Sequence, residues 1–130
     1  MSYYFSAIIS NKSFDEAVAL VAEELKKEGF GILTEIDVKD TLKKKIDVEF
    51  RPYRILGACN PHFAHRALSI DGNIGVFLPC SVVVEQGEMD KINVSIVDPI
   101  SAMSSVDNKE LAGLAMEVQE KLRRVAANLK

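Results

Sequence analysis

The chain has no tryptophan, only two cysteines and no long apolar run. A helix that spans a bilayer needs roughly 20 consecutive apolar residues, so we predict no membrane-spanning segment and no membrane partner. The N-terminus lacks a basic stretch followed by an apolar one, so we expect no secretory signal. The sequence therefore predicts a cytoplasmic protein, in which two cysteines do not imply a structural disulfide.

An excess of basic charge is also missing. The chain has 16 basic and 19 acidic residues, a net charge of −3. Domains that bind nucleic acid normally carry a clustered positive face. Here the only basic run, residues 43–45, lies between Asp40 and Asp47, which is typical of a solvated helix end. The composition therefore predicts no nucleic-acid partner.

The length suits one domain, residues 1–130, because no linker, low-complexity segment or repeat divides the chain. Short runs rich in aromatic and β-branched residues indicate strands. The predicted strands cover residues 3–9, 30–36, 53–59, 74–85 and 91–98. Pro79 cannot donate a ladder hydrogen bond, so we expect a break, a bulge or an edge position in the fourth strand.

Polar residues mark the predicted helix starts. Ser13 with Glu16 and Asp107 with Glu110 have the spacing of a capping box. Asp37 is suited to cap a short helix between the second and third strands. The order of these elements predicts an α+β fold with a mostly antiparallel sheet and helices on one face.

The long final helix carries more apolar surface than a sheet needs. Met103, Ala112 and Met116 lie beside its main apolar stripe. A surplus apolar face on a small domain often marks a contact between subunits. We therefore predict a homodimer.

Both cysteines lie where an element ends or breaks. Cys59 directly precedes Asn60 and Pro61, a strong helix start, and Cys80 follows Pro79. The residues around these two cysteines make the chain strongly resemble the domain-of-unknown-function 302 family. The resemblance also includes the run 53–61, Ile74-Gly75 and Val82-Val83-Val84.

The resemblance implies a TATA-binding-protein-like fold (β-α-β(4)-α), here with extra short helices, and a homodimer. It implies no activity. After the Leu-Pro-Cys triplet the family often has Asn, whereas this chain has Ser81, so a role for that amide does not carry over.

Small-ligand binding is the leading functional hypothesis. A helix that begins at Asn60 and Pro61 offers free amides to an anion or a polar metabolite. Tyr53, Arg54 and Ser81 are candidates for specific polar contacts, beside Cys59 and Cys80. These residues do not distinguish an enzyme from a binding module.

Two alternatives use the thiols chemically. Cys59, Cys80, His62 and His65 are the only cysteines and histidines, and together they form a donor set suited to zinc or copper. No other cofactor is identifiable. Alternatively, the helix start lowers the pKa of Cys59, which then serves as a redox or nucleophilic thiol with Cys80 as its partner.

A purely structural reading stays open beside these hypotheses. Free cysteine is among the most often buried residue types and packs as a small apolar side chain. In that case Asn60 is only a helix cap, and Pro79 only fixes the strand register.

Overall fold

One antiparallel sheet of five strands forms the centre of the molecule, which a computed structural model describes over residues 2–129. The strands are β1 (Tyr4–Ile9), β2 (Gly31–Asp37), β3 (Tyr53–Cys59), β4 (Cys80–Gln86) and β5 (Ile92–Val97). Their spatial order is β1-β5-β4-β3-β2, and every neighbouring pair is antiparallel. The predicted α+β class and the antiparallel sheet are therefore confirmed.

Within residues 2–129, five α-helices and one 3-10 helix connect and cover the strands. The helices are α1 (Phe14–Lys27), α2 (Val38–Ile46), α3 (Pro61–Ile70), α4 (Pro99–Ala102) and α5 (Lys109–Asn128), and the 3-10 helix is Gly72–Phe77. Hydrogen bonds at the starts of α1 and α2 confirm two of the predicted helix starts. The Ser13 hydroxyl accepts from the Glu16 amide at 3.1 Å while Glu16 accepts from the Ser13 amide at 2.8 Å. Asp37 accepts from the Asp40 amide at 2.9 Å.

The fourth strand is shorter than predicted. Residues 74–77, which the sequence assigns to the fourth strand, belong to the 3-10 helix, and β4 begins only at Cys80. The Asp71 carboxylate accepts from the Asn73 amide at 2.9 Å and starts the helical turn. Ile74 is then buried in an apolar cluster with Leu111 and Leu114, and this packing outweighs the local strand propensity.

The final helix is capped by a different residue from the one predicted. The Asn108 side-chain oxygen accepts from the amides of Glu110 and Leu111, at 2.9 and 3.1 Å. Asn108 is therefore the N-cap, and Asp107 lies outside the helix. Asn is at least as good an N-cap as Asp, so the sequence alone does not decide which of these two adjacent residues caps the helix.

The main core lies on the face of the sheet that α1 and α5 cover, called the inner face here. Alternate strand residues point into it, as the period of two requires. Its fully buried strand members are Ile9, Leu56, Ala58, Val82, Val84, Ile92, Val94 and Ile96, and they meet Ala17, Val21, Leu25, Leu122 and Val125 of the helices. The opposite face is called the outer face.

Glycine at position 57 permits a close approach on the outer face. A β-carbon on Gly57 would clash with the Thr34 hydroxyl and would lie 2.7 Å from Cγ of Pro79. Pro79 thus packs directly over β3, just before β4 begins. This contact fixes how the segment before Cys80 crosses the end of the sheet.

Gly57→Ala should lower the free energy of unfolding by about 1–3 kcal/mol, because the added methyl group overpacks this site. Gly31→Ala is the matched control, since a β-carbon there meets nothing within 4 Å. Urea denaturation of both variants measures the difference. Equal stability of the two variants would contradict the close approach.

Candidate functional site

A cavity of about 390 Å³ lies where the ends of β3 and β4 meet α3, the 3-10 helix and α5. Cys59 and Cys80 line it from the sheet side, together with Asn60 and Ser81. The rest of the wall is apolar. Its main contributors are Phe63, Ala64, Val76, Phe77, Leu114 and Val118. The volume is within the range of small-molecule sites.

Asn60 lies between the end of β3 and the start of α3 and lines the cavity. Its side-chain oxygen accepts from the Phe63 amide at 3.4 Å, as the predicted cap requires. Its side-chain nitrogen lies 2.9 Å from the place a β-carbon of Gly29 would occupy, and Gly29 has a φ of 86°. A glycine at that position tolerates both the positive φ and the close approach. Asn60 is therefore a packed structural cap.

The start of α3 has few free amides for an anion. Pro61 has no N–H, the Phe63 amide donates to the Asn60 side chain, and the Ala64 amide donates to the Asn60 carbonyl at 2.9 Å. Of the first four helical residues, only His62 has an amide without a bond to Asn60. The expected anion contact at this helix end therefore has little support from the geometry.

The two cysteines are not directly opposite each other in the sheet. Ala58 is paired with Cys80, and Cys59 lies one residue further along β3, opposite Gly31. Cys80 packs against the main core, as its inner-face position requires. A disulfide needs β-carbons that face each other. Both cysteines are free thiols, and the register does not favour a bond between them.

Burial keeps both thiols protonated. Loss of solvation raises the pKa of Cys80 to about 11, and the nearby Cys59 adds to the rise. Burial also raises the pKa of Cys59. The structure thus corrects the expectation that the helix start lowers the pKa of Cys59, because the apolar surroundings outweigh one free amide. A thiolate nucleophile is correspondingly disfavoured at neutral pH.

The four proposed metal donors do not converge. His62 and His65 are exposed on α3, and His65 lines a separate depression with Arg66 and Ser69. Within residues 2–129, no three His, Cys, Asp or Glu side chains are close enough to hold a metal ion. The zinc or copper hypothesis therefore does not fit the placement of its donors.

Two of the predicted site residues lie at the far end of β3. Tyr53 pairs with Glu85 in the register. Arg54 binds Glu35 at 2.9 Å and Asp15 at 3.4 Å. Six residues of extended strand, about 20 Å, separate Tyr53 from Cys59. The structure therefore brings Cys59, Asn60, Cys80 and Ser81 to one cavity and leaves Tyr53 and Arg54 away from it.

The apolar half of the wall was missed by the sequence reasoning. Phe63 and Ala64 follow the helical period of α3, and Leu114 follows that of α5, as core residues do. Only the structure distinguishes them, because no residue of α3 is fully buried. A helix with an apolar stripe that does not pack closely leaves space beside it.

The family comparison covers almost the whole chain. The model described as "Domain of unknown function DUF302" matches residues 6–129. The chain belongs to the DUF302 family. A comparison with curated proteins gives no significant match, so the family assignment brings no activity with it.

A solved structure has the same fold as this DUF302 domain. It is an uncharacterized conserved DUF302 protein from Bacillus stearothermophilus, with 26% sequence identity and a TM-score of 0.90. The match covers 100% of both chains. None of the helices that the structure describes is long and apolar enough to cross a membrane.

The raised pKa of Cys80 predicts a dependence of stability on pH. The folded-state pKa, about 11, exceeds the ordinary value of 9.0, so the folded state holds this proton more tightly than the unfolded chain. Through this group, the free energy of unfolding is constant below pH 9 and falls as the pH rises from 9 towards 11.

Urea denaturation of the wild type and of Cys80→Ala across this pH range measures the effect. Cys80→Ala should show a shallower fall, and Cys59→Ala should keep most of the wild-type fall. Parallel pH profiles for the wild type and Cys80→Ala would contradict the burial of this thiol.

Proposed function

We propose that this DUF302 domain binds a small molecule in the cavity beside Cys59 and Cys80. The observation that supports the proposal is an apolar cavity of about 390 Å³ with a few polar groups at one end. Such a combination is the usual form of a small-molecule site. The cytoplasmic location stays a prediction from the sequence.

The thiols take part in this proposal as neutral polar groups of the wall. Their raised pKa values and their positions, which are not paired in the strand register, support neither a nucleophile nor a dithiol couple. A thiol that stays protonated is a weak hydrogen-bond donor in an apolar wall. Binding therefore has better support than thiol-redox chemistry.

An NMR screen with a mixed fragment library tests the proposal. The library should contain anionic, cationic and uncharged compounds in equal number, so that no ligand class is assumed. We expect hits that shift the amide signals of Cys59, Ala64 and Leu114. Complete absence of hits at these residues would contradict the proposed function.

Ala64→Phe should abolish these hits, because the added ring fills the cavity from α3. The affinity should fall by about tenfold or more. His65→Phe is the matched control, since it adds the same ring at the neighbouring exposed position. Circular dichroism verifies that both variants fold. Hits that survive Ala64→Phe would place the binding elsewhere.

We also propose that the chain forms a homodimer through the outer face of the sheet. Seven aromatic or aliphatic strand residues point to this face: Tyr4, Ile8, Ile36, Tyr53, Ile55, Val83 and Val97. A shallow depression over its centre is lined by strand residues and Tyr3 alone. An antiparallel sheet with one solvated face normally places polar residues there.

Charge and size both favour a second copy of the chain as the occupant. Among the strand residues that the structure describes, Glu85 is the only charged one whose register position is on the outer face, and Arg51 binds it at 2.8 Å. Depletion of charge and enrichment of aromatic residues are typical of interface centres. Five strands of about six residues span roughly 24 Å by 20 Å. This projected area, about 480 Å², is of the same order as the roughly 800 Å² of accessible surface that each partner buries in a standard interface.

The surface predicted from the sequence is a weaker candidate. On α5, Met116 is 62% exposed and Ala112 is exposed, whereas Met103 packs in the cluster around Ile74. With Ile100 and Val106 they line a depression of about 310 Å³, a face narrower than the five strands of the outer face. The two surfaces predict different effects of mutation.

Analytical ultracentrifugation at tens of micromolar tests the dimer. We expect twice the chain mass of 14.4 kDa for the wild type. Val83→Glu should give a monomer, because it buries an unpaired charge at the centre of the face. Met116→Glu should remain a dimer. A wild-type monomer would contradict the proposal, and a monomer from Met116→Glu alone would move the interface to α5.

A further inference from the structure

We propose that the ligand of the cavity is an uncharged, largely apolar small molecule that enters past Val76 and Phe77. The inference rests on the proposed binding function and names the class of ligand for that site. It replaces the anion or polar metabolite expected from the sequence.

The composition of the cavity wall favours an uncharged ligand. None of the residues that line the cavity is Asp, Glu, Lys, Arg or His. A charged ligand group would therefore lose its hydration without gaining a partner of opposite charge. Burial of an unpaired charge costs far more than burial of an uncharged polar group. The wall thus selects against both anions and cations.

The few polar groups of the wall also favour an uncharged ligand, because most of them are already hydrogen-bonded or are neutral. The Asn60 oxygen is engaged by the Phe63 amide, and the amides at the start of α3 are mostly engaged or absent. The two thiols are held in their neutral form by burial. What is left for a ligand is the Asn60 side-chain N–H group, two weak thiol donors and the Ser81 hydroxyl, all of them uncharged, which suits a hydroxyl or carbonyl group.

The nearest cations lie on the rim and have partners of their own. The Arg66 guanidinium lies 5.7 Å from the centre of the Phe63 ring and 3.7 Å from the Glu117 carboxylate. The Lys121 ammonium lies 6.0 Å from the same ring. Neither residue lines the cavity. An anionic ligand would have to draw them away from these contacts.

The mouth of the cavity is apolar as well. Val76 is 83% exposed and Phe77 is 37% exposed, although both belong to the cavity wall. Apolar side chains left in water beside a cavity gain free energy when a ligand covers them, roughly in proportion to the area removed from water. The part of the wall that α5 supplies, Leu111, Leu114, Ala115 and Val118, is apolar too.

Three probes with the same chain and different head groups test the ligand class. Hexanol, hexanoate and hexylammonium are respectively neutral, negative and positive at neutral pH. Titrations followed by NMR at Ala64 and Leu114 give the three affinities. We expect hexanol to bind at least about tenfold more tightly than either charged probe.

Two variants locate the mouth. Val76→Asp should weaken hexanol binding several-fold, because it places a charge where the apolar chain enters. Val48→Asp is the control, since Val48 is also exposed, at 41%, but does not line the cavity. Equal effects of the two substitutions would overturn the proposed entrance.

The results of these titrations distinguish a failure of the proposed ligand class from a failure of the proposed binding function. Hexanoate or hexylammonium binding as tightly as hexanol, with loss in Ala64→Phe, would overturn the ligand class and leave small-molecule binding intact. Failure of all three probes would also overturn the class. The fragment screen then shows whether the binding function falls with it, because that screen assumes no class.

Discussion

The contact of Pro79 with Gly57 determines the arrangement of the whole cavity. It seats the segment before β4 across the end of β3, and the register then pairs Ala58 with Cys80. That pairing turns Cys80 towards the core and leaves Cys59, one residue further along β3, at the wall of the cavity. The chain leaves β3 through Asn60 into α3, which spans the gap without a fully buried residue. The cavity is the space that remains.

The chemistry of the cavity follows from this arrangement. Because the strand ends bring thiols and apolar side chains together without any ionised group, burial opposes a negative charge on either sulfur. The same low polarity disfavours a charged ligand. Reactive thiols, a metal centre and an anion site each need a charge or a donor cluster that the geometry does not supply. An uncharged ligand needs only the apolar wall and one or two weak donors.

Much of the fold could be predicted from local signals, and less of the site. The caps at Ser13, Asp37 and Asn60, and the break expected at Pro79, hold because each depends on its immediate neighbours. Residues 74–77 were assigned wrongly because Ile74 is buried by tertiary packing against α3 and α5, which local strand propensity does not include. The polar half of the site could be found from its position at element ends. The apolar half could not, since a cavity wall and a core have the same sequence pattern.

The occupancy of the cavity by an uncharged apolar atom tests the central claim most directly. A crystal of the protein under xenon pressure provides this measurement, because xenon enters apolar cavities that stay free of ordered water. The account predicts a xenon peak between Phe63 and Leu114, next to Cys80. Ordered water at that place, with xenon absent or bound only elsewhere, would contradict it.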